Sequence, residues 1–182
     1  MIFAANWKMN GNIKFLNSIL AEIKQDIIPY LADNSKIIVC PPSVYLSQAK
    51  LICHNTSIEI GAQDCSSQGN GAFTGEISAD MLSDVGSQWV ILGHSERRQY
   101  HSENNDLLHK KMLLAKLAGL KVITQLIKYL PVDGNVQTPL LLSTVIPSPI
   151  AVILVNFEPG TTASLSLEVR STFRRQPSTI FG

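Results

Sequence analysis

An imidazole set at the very end of a strand is a group that can move or share a proton, and His94 has that setting. In WVILGHSERR it directly follows a run of buried-type residues, at the strand end where parallel α/β folds carry their functional side chains. At neutral pH such a group can act as acid, base or hydrogen-bond donor. Position alone does not separate those roles from ordinary packing or surface duty. The loop GNGAFTGE is rich in glycine, yet Gly69, Gly71 and Gly75 do not fit GxGxxG, because Thr74 stands where the third glycine belongs. A dinucleotide site is therefore disfavoured. His101 and His109, with Glu103 and Asp106 nearby, match no metal-ligand spacing and read as exposed helix residues, so no metal is expected.

These residues sit in a chain of 182 residues, 45% hydrophobic and 16% charged, a composition that suits one folded domain with a substantial core. Fifteen basic residues against fourteen acidic ones leave a formal charge of +1, too little for the positive field that holds nucleic acid or an anionic membrane. Cys40, Cys53 and Cys65 are odd in number and form no CxxC pair, which fits reduced thiols in the cytoplasm better than a disulfide framework or zinc site. Trp7 and Lys8 interrupt the apolar stretch a secretory signal would need, and Pro147 and Pro149 break the most apolar later region. Neither a membrane span nor export is expected, so the Asn55-Thr56-Ser57 sequon carries little weight.

The elements that would position His94 follow from hydrophobic periodicity. Runs rich in Ile and Val at Ile2–Ala5, Lys36–Cys40, Ile58–Ala62, Trp89–Leu92, Lys121–Thr124 and Ala151–Val155 read as parallel strands separated by amphipathic stretches, the alternation of βα units. Phe15, Leu16, Ile19, Leu20, Ile23, Ile27 and Leu31 recur at helical spacing and predict one helix through Leu31. Further helices fit Ser43–Cys53, Ser78–Val85, Asn104–Ala118 and Leu165–Phe173, the fourth of the five ending at Gly119. From 124 to 150 the chain is irregular, since Pro131, Pro139, Pro147 and Pro149 oppose a crossover helix there.

Read together, AANWKMNG after the first strand, CPPSVYL after the second, GAQDCSSQGNGAFTGEIS after the third, GHSERR after the fourth and VNFEPGT after the last resemble, in order, the signature segments of triosephosphate isomerase. The resemblance is nearly continuous from Met1 to about Ile123. It implies a (β/α)₈ barrel and the interconversion of dihydroxyacetone phosphate and glyceraldehyde 3-phosphate, a step of glycolysis and gluconeogenesis that needs no cofactor. It assigns Glu158 as the base that moves the proton and His94 as the electrophile, a pairing for which this enzyme is a standard example. It assigns Lys8 and Asn6 to substrate contact, Gly160 to phosphate and Glu96 to positioning. Thr74 becomes the residue that a homodimer would insert into the partner's site.

The same resemblance marks departures. Where the family has Cys-Ile-Gly-Glu after the fifth strand, this chain has Thr124-Gln125-Leu126-Ile127, and Pro159 runs straight into Gly160-Thr161-Thr162 without the apolar part of the lid. The expectation is a single truncated domain over 1–182, an incomplete barrel of about six βα units with strands seven and eight missing. Residues 1–123 match well, and 151–182 are a remnant of the sixth unit. A barrel of this type runs to roughly 250 residues. Lost lid and phosphate loops predict an inactive or severely impaired isomerase, the alternative being a non-catalytic relic that dimerises or binds anions.

Overall fold

The first strand alternates its side chains between two faces, and so do the strands after it, so a parallel sheet with helices on one side must build two cores. A computed structural model describes residues 2–31, 35–124, 126–128, 140–142 and 152–156. Its strands are β1 Ile2–Asn6, β2 Lys36–Cys40, β3 Ile58–Ala62, β4 Trp89–Leu92 and β5 Lys121–Thr124, followed by β6 Leu126–Lys128, β7 Leu140–Leu142 and β8 Val152–Asn156. The helices are α1 Ile13–Glu22, α2 Leu46–Ile52, α3 Ala79–Asp84, α4 Ser95–Tyr100 and α5 Asn105–Leu117. Strands β1 to β5 are parallel neighbours in chain order and curl into a half-barrel, the α/β architecture of an incomplete TIM barrel.

Two clusters express the alternation. Ile58, Ile60 and Ala62 of β3 join Leu16, Leu20, Leu46, Leu82 and Leu108 between sheet and helices, while Ile38, Cys40, Trp89, Ile91 and Ile123 line the concave side. Gly61 faces that inner side, where a Cβ would lie 2.6 Å from the Cys40 Sγ, so no larger residue fits between β2 and β4. At the opposite end of the strands from His94, the Glu59 carboxylate takes the Lys36 ammonium at 2.7 Å, the Lys121 ammonium at 3.6 Å and the indole N–H of Trp89. Four adjacent strands, β2 to β5, are thereby clasped at their starts.

Three differences from the sequence expectation stand out, and the first has a local cause. The long first helix ends at Glu22 and continues as a π-turn over Ile23–Ile27 and a 3₁₀ turn over Ile28–Tyr30. Pro29 has no N–H, and its ring would strike the carbonyl four residues back, so the helix widens and stops. Residues 126–128 and 140–142 pair as an antiparallel ladder within the stretch expected to be irregular. The last strand, β8, lies parallel to β1 with Ile2 opposite Val152 and Asn6 opposite Asn156, although chain order would have set it beside β5. The predicted helix Leu165–Phe173 lies outside the described residues.

Candidate active site

Strand β1 ends at Asn6, which is buried and whose side-chain Oδ1 accepts the Lys8 N–H at 3.0 Å. The Lys8 carbonyl in turn accepts from Gln63 Nε2 at 2.9 Å. Between these two bonds the Lys8 backbone adopts φ 53°, a left-handed conformation that costs a non-glycine residue about 1 kcal/mol. Trp7 anchors the turn: it is buried, packs edge-on against Phe15 at 5.0 Å between ring centroids, and donates its N–H to the Cys40 carbonyl at 3.1 Å. The result is an ammonium aimed at Glu96, with Nζ to Oε1 at 2.9 Å.

Strand β4 delivers the second group. Gly93 has φ +72°, and a Cβ there would sit 3.0 Å from the Leu108 side chain, so glycine is needed to swing the chain from strand into α4. His94 caps that helix, its Nδ1 accepting the Glu96 N–H at 3.2 Å. An Nδ1 that accepts leaves the proton of the neutral ring on Nε2. Glu96 Oε2 stands 3.4 Å from the same Nδ1, but it gains a hydrogen bond there only if the ring is protonated. Burial opposes that: it drives the His94 pKa below its ordinary value, Glu96 pulls it back upward and Lys8 adds to the fall. One carboxylate thus contacts both a neutral imidazole and an ammonium.

Behind this pair lies a group of four charges that sequence reasoning missed. Lys111, nearly fully buried, donates to both Asp64 oxygens at 2.9 Å and to Glu103 Oε1 at 2.5 Å. Arg97 reaches Asp64 Oδ2 at 2.8 Å. Glu103 Oε2 accepts the Gly93 N–H at 3.1 Å, so the cluster grips the residue immediately before His94. Burial raises the Asp64 pKa in spite of the two cations beside it. Glu103 is buried and not the exposed helix residue expected, whereas His101 and His109 are exposed. Among the described residues no group of three or more His, Cys, Asp or Glu is placed to hold a metal ion.

A cavity of about 320 Å³ opens beside Lys8, with Gln63, Asp64, Ser43, Met9 and Gly75 on its walls. Thr74 stands exposed on the loop after β3, next to that glycine. Cys65 also reaches the cavity, but burial pushes the Cys40 and Cys65 thiols up to about 12, so neither offers a thiolate nucleophile. Of the residues picked out from sequence, Asn6, Lys8, His94 and Glu96 come together, and Glu158 and Gly160 lie outside the described residues. No described helix is long and apolar enough to cross a membrane. The arrangement suits chemistry in which a substrate oxygen gains negative charge: an N–H and an ammonium, both held, can share it.

The comparisons agree with this geometry. A sequence model of triosephosphate isomerase matches residues 1–125. The chain is 40% identical over 122 residues to the triosephosphate isomerase of Granulibacter bethesdensis, covering 67% of this chain and 49% of that one. It is 42% identical over 115 residues to that of Erwinia tasmaniensis, covering 63% and 44%. A crystal structure of triosephosphate isomerase from Bartonella henselae superposes with a TM-score of 0.61 at 35% identity, over 68% of this chain and 49% of that one. The chain spans about half the length of the relatives it matches.

Proposed function

We propose, from the premise that this chain belongs to the triosephosphate isomerase family, that its strand ends carry the electrophilic half of an isomerase site for triose phosphates and that its turnover is severely impaired. In this reading Glu158 takes a proton from the carbon next to the substrate carbonyl and returns it to the neighbouring carbon. The His94 Nε2–H donates to the oxygen on which negative charge develops, and Lys8 balances the enediolate and the phosphate dianion. No cofactor takes part. The observation that carries the reading is the Glu96 N–H donated to His94 Nδ1, which keeps a neutral ring with its proton on Nε2. Strand β8 ends at Asn156, level with Asn6 in register, and Glu158 follows two residues later in the sequence.

Impairment is supported by Thr124-Gln125-Leu126-Ile127, which begins on the last residue of β5, and by the short passage from Pro159 to Gly160. Without the apolar part of the lid, the closure that orients substrate is weakened, and turnover falls along with affinity. A homodimer fits the same reading. Met9, Val44, Phe73 and Met81 are exposed apolar side chains, and Thr74 is the residue to enter a partner's cavity. The reaction would serve glycolysis and gluconeogenesis in the cytoplasm.

The test is isomerisation of dihydroxyacetone phosphate by the purified chain, beside a full-length relative. We expect a rate above buffer and lower than the relative's by about 1000-fold or more, the sum of lost orientation and lost charge stabilisation. His94→Gln and Glu158→Asp should each lower it further. A rate equal to the relative's would sink the impairment, and a rate indifferent to both substitutions would sink the site. A rate equal to buffer, with dimers or anion binding retained, would favour the non-catalytic reading.

A further inference from the structure

Gln63 is absent from the chemistry above, yet its amide stands where three strand ends meet. It follows β3, and its Nε2 donates to the Lys8 carbonyl beyond β1 at 2.9 Å and to the Cys40 carbonyl at the end of β2 at 2.8 Å. Both acceptors are main-chain carbonyls, so the amide can face them with its NH₂ alone, and both of its hydrogens are used. Cys40 also accepts the Trp7 N–H at 3.1 Å. The Asn6–Trp7 peptide and the Lys8 carbonyl are therefore tied to the same Cys40 carbonyl, the first directly and the second through Gln63.

We infer that Gln63 is the positioning residue that locks Lys8 in its left-handed turn and so sets the ammonium on the carboxylate shared with His94. The argument is mechanical. A lysine at φ 53° has no intrinsic preference for that conformation, so external bonds must hold it. Asn6 holds the N–H side at 3.0 Å and Gln63 holds the carbonyl side. Removing the second bond lets the peptide after Lys8 rotate, and rotation of the backbone swings a long side chain away from Glu96, which it contacts at 2.9 Å. Asn10 ties the other side of the turn by donating to the Trp7 carbonyl at 3.0 Å, but that bond does not reach Lys8's own carbonyl. A glutamine is required by length, since asparagine is one methylene short of spanning two strand ends. For the reaction, this inference rests on the proposed role of Lys8; for the geometry it stands without it.

His94 reports the outcome. The Lys8 charge lowers its pKa and Glu96 raises it, so withdrawal of the ammonium removes one influence and unmasks the other, and both move the titration upward. The experiment is an NMR pH titration of the His94 ring in the intact chain, its resonance identified by its loss in His94→Gln, with Gln63→Met, Gln63→Asn, Lys8→Met and the double variant Gln63→Met/Lys8→Met. We expect the two Gln63 variants to shift the His94 midpoint upward by the same amount as Lys8→Met, with no further shift in the double variant. A wild-type midpoint in folded Gln63→Met overturns the inference. So does a Gln63→Met shift that adds to that of Lys8→Met, because it would then act by another route. Unfolding of both Gln63 variants would make the residue a support of the fold rather than of Lys8, which also overturns it. In isomerisation, Gln63→Met is expected to lower kcat about 100-fold with a smaller change in KM. Absence of turnover in the wild-type chain would sink the isomerase reading while leaving the titration result to stand or fall by itself.

Discussion

His94 is held neutral by its surroundings, and that has a consequence for stability as well as for chemistry. Its folded pKa lies below its unfolded one, so below about pH 6.5 the unfolded chain binds a proton that the native ring resists. Stability from this group is complete above that pH and is lost as the pH falls through the depressed native value. Thermal melts of the wild type should therefore lose Tm more steeply than melts of His94→Gln as the pH falls below about 6.5. An identical slope in both would show that the ring titrates as it does in water. The histidine could be chosen from sequence because a strand end and a matching motif coincide there. Gln63, Asp64 and Lys111 could not, since a polar residue in a loop or on a helix reads as surface until its partner, 47 positions away for Asp64 and Lys111, is known.

At the scale of elements, local pattern carried far. All five strands from β1 to β5 fall where alternation and β-branched runs put them, with β1 extended by one residue. Asn104 and Ser78 cap α5 and α3 as side-chain acceptors. The first helix is shorter than its seven apolar residues at helical spacing predict, because Pro29 acts through the backbone and not through the pattern. What joins the elements is less legible. Lys111 on α5, Asp64 after β3 and Arg97 on α4 converge in one buried cluster. Lys111→Met should strand two carboxylates against Arg97 alone and cost about 3–5 kcal/mol, measured by denaturant unfolding. A loss under about 1 kcal/mol would mean that water already shares the load.

The order of β1 to β5 follows from the barrel that the resemblance implies, whereas the place of β8 beside β1 belongs to the whole molecule, because a strand's sequence states which face is apolar and not which neighbour it takes. The apolar residues on the outside have a collective meaning too. Met9, Val44 and Phe73 are exposed, and the dimer reading has them meet a second copy across a self-complementary patch. Phe73→Asp should convert a dimer to monomers in light scattering while the far-UV spectrum is retained; monomers from the unsubstituted chain would remove that reading.

The pairing of β8 with β1 also sets an order of events in time. Ile2 and Val152 face each other across 150 positions of chain, the difference of their numbers, and closing a loop of that size costs about 4 kcal/mol in chain entropy before any contact repays it. Strand β1 can zip to the nearby β2 early, yet its other side must wait for a strand 150 positions further along, the difference of 152 and 2. That seam is the last to form, and hydrogen exchange should find it the first to open.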